Sequence, residues 1–127
     1  MNLLKKNLIL LIVLISLITL LSGLAQVVMP RYVLDFIGAE IYPISSHLFA
    51  IVGMFMVLFG GLMLHTIYSA HSSREAVLWC AFQKLGAFMA VSLGVINGLF
   101  NFLAIVVALF DLFSGLLFLL YYKQWRD

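Results

Sequence analysis

The stretch from Lys84 to Asp111 reads KLGAFMAVSLGVINGLFNFLAIVVALFD, with a charged residue at each end and Asn97-Gly98 at its centre. Asn-Gly is a strong turn signal, so the apolar residues on either side predict two antiparallel helices joined by a tight turn. Lys84 lies 13.5 residues before the midpoint of this turn, and Asp111 lies 13.5 residues after it. At about 1.5 Å of rise per residue, both side chains lie about 20 Å from the turn. We therefore expect the two charges to meet at one depth as an ion pair.

The composition of the whole chain is that of a membrane protein. Of its 127 residues, 65% are hydrophobic and 9% are charged, whereas soluble proteins carry about 25% charged residues. About 20 apolar residues cross a bilayer once, so the chain has room for about four crossings. This composition excludes a separate soluble catalytic domain and a disordered scaffold. Nucleic-acid binding is excluded too, because no basic run is longer than Lys5-Lys6.

The hydrophobic pattern divides the chain into four spans and one more polar segment. We predict an all-α fold, an up-down bundle of four transmembrane helices in a single integral membrane domain over residues 1–127, with spans at about 8–25, 47–69, 75–96 and 99–122. The extracytoplasmic segment 26–46 carries Pro30 and Pro43 near its ends. Proline is favoured at the first position of a helix, so residues 30–38 predict a short interfacial helix, with a packed loop as the alternative.

The basic residues near the span ends predict the orientation. If the N-terminus is in the cytoplasm, Arg31 is the only one of these basic residues that lies outside. Five basic residues then fall inside: Lys5, Lys6, Arg74, Lys123 and Arg126. The positive-inside rule therefore places both termini in the cytoplasm. The first span also has the basic start and small residues of a signal peptide, but its apolar run is long enough to cross the bilayer, so we expect it to be retained.

The Lys84–Asp111 pair is the candidate site of the protein. These are the charged residues that lie inside the predicted spans and away from their ends, where each costs about 2.5–3.5 kcal/mol on insertion scales. Its candidate neighbours are Gln83, Asn101, Ser114 and His65. The pair either fixes the register of the hairpin or forms part of a proton, ion or ligand pathway, and a covalent role for Lys84 is a further alternative.

The remaining reactive side chains predict no catalytic, metal or cofactor site. Cys80 is the single cysteine, so an internal disulfide or a thiol-exchange pair is excluded, and Cys80 is expected to be a small buried hydrophobic residue. His47 and His65 lie about 27 Å apart along one helix and cannot share a metal. No cofactor is predicted, and a lipid or quinone bound between the helices is the alternative.

The order of features along the chain suggests a family. A proline-bearing segment, VMPRY at 28–32, follows the first span; a second span rich in glycine contains Gly53 and Gly60-Gly61; and the last span carries an acid. Over most of its length this layout resembles the small bacterial DoxX-like four-helix membrane proteins. The resemblance implies a bundle in the bacterial inner membrane, sometimes associated with redox or respiratory complexes. It implies no catalytic residue.

These observations lead to one expected function and two alternatives. Small and polar residues recur at helical spacing on the last span, as they do at packed membrane interfaces, at Asn101, Ala104, Ala108, Asp111 and Ser114. We therefore expect a non-enzymatic accessory or structural subunit that packs in the lipid bilayer against another membrane protein or a second copy. The alternatives are a small proton- or ion-linked transporter and a lipid- or quinone-binding protein, both using Lys84 and Asp111. A lipid-sized cavity that reaches Lys84 or His65 would favour the last.

Overall fold

The computed structural model describes residues 3–71 and 73–125, and these fold into five α-helices. They are α1 (Leu3–Val28), α2 (Pro30–Phe36), α3 (Pro43–Tyr68), α4 (Arg74–Ile96) and α5 (Leu103–Gln124). The four longer helices, α1, α3, α4 and α5, are each long and apolar enough to cross a membrane. No strand occurs in the described residues, which confirms the predicted all-α class. Arg126, which the predicted orientation includes, lies outside the described residues.

Prolines and glycines set the ends of the short helix α2. Pro30 occupies the first turn of α2, and Pro43 does the same in α3, because proline has no N–H to leave unpaired there. After α2, Gly38 adopts a φ of 73°. The Gly38 N–H donates to the carbonyl of Asp35, and the Ala39 N–H donates to that of Leu34, both at 3.0 Å. This is a Schellman motif, which requires a left-handed residue and so favours glycine.

The turn between α4 and α5 is longer than the sequence predicts. A second Schellman motif ends α4, with Gly98 at a φ of 76°. The chain does not resume its helix at residue 99, because the side-chain oxygen of Asn101 accepts a hydrogen bond from the Leu103 N–H at 2.9 Å. That bond satisfies a backbone donor in the first turn of a helix. As a result α5 begins at Leu103 rather than at residue 99.

The long helices associate most closely as two pairs, α1 with α3 and α4 with α5. Glycine permits the close approach of the first pair. A Cβ atom placed on Gly53 would lie 2.7 Å from the carbonyl oxygen of Gly23, and one on Gly23 would lie 2.6 Å from that of Gly53. The two backbones therefore touch at this crossing, as small residues allow in membrane helices.

The apolar core occupies one half of the molecule. It draws on the first half of α1, the second half of α3, the first half of α4 and the second half of α5. Its buried members are Leu8, Ile12, Ile15, Met63, Val77, Cys80, Ala81, Phe118 and Tyr121. Cys80 is only 1% exposed and its thiol is free, which confirms its predicted role as a small buried residue. The opposite half, next to α2, is not filled in this way.

Candidate functional site

Lys84 and Asp111 form a buried ion pair, as their spacing predicts. The Nζ atom of Lys84 lies 3.4 Å from Oδ1 of Asp111, and the two residues are 3% and 8% exposed. Lys84 also donates a short hydrogen bond to the hydroxyl of Thr19. The pair therefore joins α4 to α5, and Lys84 connects both to α1.

The pair meets although the two helices are not symmetric about their turn. Lys84 lies 12 residues before the end of α4 at Ile96, whereas Asp111 lies 8 residues after the start of α5 at Leu103. The non-helical residues between Gly98 and Leu103 lie on the α5 side of the turn, and they make up this difference of four residues. The lysine side chain has a flexible four-carbon stem, which tolerates a small mismatch.

Thr19 is the partner that sequence reasoning does not identify. Its hydroxyl donates to the carbonyl of Ile15 at 2.9 Å and accepts from Lys84, so both roles of the hydroxyl are used. The ring of Phe110 lies 5.2 Å from Nζ of Lys84, within the range of a cation–π contact. The only signal for Thr19 in the sequence is its position on the small-residue face of α1, with Ser16 and Gly23.

A cavity of about 530 Å³ reaches this ion pair. Ligand pockets commonly enclose about 300–1,000 Å³, so a molecule of lipid or cofactor size fits. The walls are mainly apolar. They come from the second half of α1 (Ile18, Thr19, Ser22, Ala25, Gln26), from α2 (Val33, Phe36, Ile37), from the first half of α3 (Phe49, Val52, Met56), from α4 (Gln83, Lys84, Ala87, Val91), and from Phe100 and α5 (Ala104, Val106, Val107, Phe110, Asp111).

The cavity has a charged polar end, and its walls elsewhere are apolar apart from Ser22 and Gln26. Thr19, Gln83, Lys84 and Asp111 lie at the end nearest the packed core, and α2 forms the roof at the other end. Ile18 and Val106 line the cavity and are also 49% and 60% exposed. The cavity therefore opens at its side, where those helices face the surroundings of the protein.

A much smaller space lies on the other side of the ion pair. Its volume is about 10 Å³, close to the minimum that holds one water molecule. Thr19, Gln83 and Lys84 line both this space and the large cavity. These three residues therefore form the boundary between the cavity and the packed half of the molecule.

The structure brings one of the four predicted neighbours, Gln83, to the cavity next to Lys84. Gln83 lines the cavity. Ser114 is fully buried and donates to the carbonyl of Phe110 at 2.7 Å, away from the cavity wall. His65 is exposed near the end of α3 and lines neither space.

Asn101, the fourth predicted neighbour, connects the roof of the cavity to the α4–α5 turn. Its side-chain amide donates to the carbonyl of Phe36 at 3.2 Å. Its backbone N–H donates to the carbonyl of Ile37 at 2.6 Å. Asn101 therefore holds α2 over the cavity, at the end remote from the ion pair.

Two findings bear on cofactors and relatives. Within residues 3–71 and 73–125, no group of three His, Cys, Asp or Glu side chains could hold a metal ion.

No family model matches the sequence, and no match is found among curated proteins or solved structures. The resemblance to DoxX-like proteins therefore stays a prediction.

Proposed function

We propose that this chain is an integral membrane protein that binds an amphipathic small molecule, a lipid or a quinone, between its helices. The observation that carries the proposal is the cavity of about 530 Å³ that ends on Lys84 and Asp111. Its apolar walls suit a hydrocarbon tail, and its polar end suits a head group. Ligand sites in proteins combine these two features, with a few polar groups fixing the orientation.

The position of the ion pair favours a binding role over a purely structural one. A pair that only fixed the register of α4 and α5 would be best placed inside tight packing, where no third group competes for it. Here Lys84 and Asp111 both line the cavity. Intramembrane charges that face a cavity are typical of functional sites.

The packed half of the molecule favours binding over transport. The cluster that contains Ile12, Met63 and Phe118 lies between the ion pair and the far ends of the helices. These three side chains are at most 2% exposed. A transport pathway would have to pass through this cluster, whereas a binding site needs only the open half.

We further propose an up-down order of the four long helices, with both termini in the cytoplasm of a bacterial cell and α2 on the outer face of the inner membrane. The core combines first halves of α1 and α4 with second halves of α3 and α5, and this alternation supports the antiparallel order. Exposed Arg31 and Tyr32 and buried Leu34 in α2 suit a helix at an interface.

Co-purification of lipids tests the binding proposal. Ala87 lines the cavity, and Ala90 lies three residues further along α4 and is exposed. The full chain is released from lipid nanodiscs in a native mass spectrometer, and its adducts are identified. We expect a bound small molecule on the wild type and on Ala90→Phe, and its loss from Ala87→Phe, which fills the cavity. Adducts that survive Ala87→Phe would contradict the proposal.

A second candidate function is that of an accessory subunit. Gly86 and Ala90 are exposed on α4, and no other part of the described chain lies within 4 Å of a Cβ placed on Gly86. Such a surface suits the close approach of a partner helix. A pull-down in mild detergent tests this role: Gly86→Leu is expected to lose a co-purifying protein that Gly61→Leu, on α3, retains. Equal recovery by both variants would contradict it.

A further inference from the structure

The unused hydrogen-bonding capacity at the polar end of the cavity identifies the head group. We propose that the cavity takes a neutral lipid with a hydroxyl head group, of the kind found in long-chain alcohols and monoacylglycerols. The hydroxyl donates to Asp111 and accepts from Lys84 or Gln83. This inference rests on the proposed function, because it specifies the ligand of the same cavity.

The charges at the polar end exclude an anionic head group. Lys84 already has Asp111 as its counter-ion at 3.4 Å, so the pair carries no net charge. A second carboxylate or a phosphate that approached Lys84 would also approach Asp111. Like charges at short range repel strongly when little water separates them. A neutral head group meets no such penalty.

Asp111 requires a hydrogen-bond donor from the ligand. Its Oδ1 atom accepts from Lys84, and among residues 3–71 and 73–125 no donor bonds to Oδ2. Asp111 lines the cavity. An ionised carboxylate only accepts hydrogen bonds, so the group that completes it must carry an O–H or N–H.

Lys84 and Gln83 require an acceptor. The ammonium group has three N–H donors, and its bonds to Thr19 and Asp111 use two of them. Gln83 lines the cavity, and its side-chain amide makes no hydrogen bond within the described part of the chain. A hydroxyl both donates and accepts, so one small neutral group satisfies both sides. An ester or ketone oxygen carries no hydrogen to donate, so it would leave Oδ2 of Asp111 without a hydrogen bond.

A series of ligands with one tail and three head groups tests the inference. The full chain in nanodiscs is labelled with a photoreactive diazirine analogue of oleyl alcohol, and the labelled peptides are mapped. Oleyl alcohol, methyl oleate and oleate then compete for the site. We expect oleyl alcohol to displace the label at a concentration at least about tenfold lower than the other two, because it alone makes the bond to the carboxylate.

Substitutions at the polar end of the cavity test which residues cause the preference for oleyl alcohol. Asp111→Asn replaces a carboxylate oxygen with an amide that can donate to methyl oleate, so the advantage of the alcohol over the ester should fall below about threefold. Gln83 makes no hydrogen bond that folding would lose, so Gln83→Leu is a second variant that keeps the fold and should weaken binding of the alcohol. Leu109→Ala, at an exposed position of α5 outside the cavity wall, is the control and should behave as wild type.

The outcomes separate this inference from the proposed function. If oleate competes as well as the alcohol, or if all three compounds compete equally, the head-group assignment is wrong and the cavity still binds lipid. The head-group assignment is also wrong if oleyl alcohol competes better than methyl oleate and oleate by the wild-type factor in both Asp111→Asn and Gln83→Leu. If none of the three displaces the label, and Ala87→Phe leaves labelling unchanged, the proposed function itself fails.

Discussion

Lys84 is the residue on which three helices converge. Its ammonium group contacts Thr19 on α1 and Asp111 on α5, while its backbone belongs to α4. A lysine that is 3% exposed needs such partners, because an isolated buried charge carries a desolvation penalty that only pairing offsets. The same contacts that make the charge tolerable also fix how the two helix pairs sit together.

Replacing the two charged residues singly and together measures their coupling. Lys84→Met and Asp111→Leu alone should each lower the free energy of unfolding by about 3–5 kcal/mol, because each leaves an uncompensated buried group. The double variant should recover most of that loss, because two apolar side chains replace the pair. Denaturant unfolding of the chain in detergent micelles gives the three values. Strictly additive losses would show that the pair does not act as a unit.

The ion pair is predictable from the sequence, and its third partner is not. Lys84 and Asp111 stand out because charges are rare in apolar spans, and their equal spacing from Asn97-Gly98 places them together. The role of Thr19 depends on how far α1 is displaced along α4. The spacing of residues within one helix does not predict the offset between two helices. In the sequence, nothing distinguishes Thr19 from the other polar residues on the packed face of α1.

The close contact between α1 and α3 depends on the absence of a Cβ atom at two glycines. Gly23 and Gly53 face each other so closely that a methyl group on either one would meet the other's carbonyl oxygen. The next glycines on α3 show how local this is. Gly60 lies against the backbone of Ser16, whereas Gly61 has no other part of the described chain within 4 Å of its missing Cβ. Neighbouring glycines on one helix therefore have opposite tolerance to substitution.

Alanine at two positions of α3 provides a matched test of this contact. Gly53→Ala should destabilise the protein by about 1–3 kcal/mol, because a methyl group must be accommodated where two backbones already touch. Gly61→Ala should be neutral or stabilising by up to about 1 kcal/mol, since alanine is the better helix former. Thermal unfolding in the same detergent compares the two. A larger loss for Gly61→Ala would place the helix contact elsewhere.

Helix boundaries show where sequence patterns stop being sufficient. The start of α2 is predictable because Pro30 marks it. The start of α5 is not, since residues 99–102 are as apolar as the helix that follows, apart from Asn101. Besides accepting from the Leu103 N–H, Asn101 donates to the carbonyl oxygens of Phe36 and Ile37. These last two bonds join segments far apart in the chain, so no local pattern predicts them.

At the scale of the whole molecule, one half is filled and the other is hollow. The sequence does not predict this difference, because apolar residues predominate along the full length of all four long helices. Ala87 and Ala104 have the small side chains expected of a tight helix contact, and the structure places both on the cavity wall. A cavity is the volume that side chains leave over between helices, so it depends on how the helices are arranged and not only on which residues they carry.

The proposed topology makes a prediction about chemical access. In a Cys80→Ala background, we expect Glu40→Cys to react with a membrane-impermeant maleimide in intact bacterial spheroplasts. Lys6→Cys and Lys123→Cys should react only after permeabilisation, because the basic residues place both termini inside. All three positions are exposed in the structure, so accessibility within the fold does not limit the reaction. The reverse labelling pattern would invert the topology.

The bonds made by Asn101 have a consequence for the order of synthesis. A chain emerges from the ribosome with its N-terminal part first, so α1, α2 and α3 are made long before Asn101, which follows Phe36 by 65 residues. Until the α4–α5 turn is translated, nothing can hold α2 by these bonds. The roof is thus secured only after the α4–α5 turn has been translated, and until then the nascent α1–α3 pair meets the surrounding lipids with the future cavity still open.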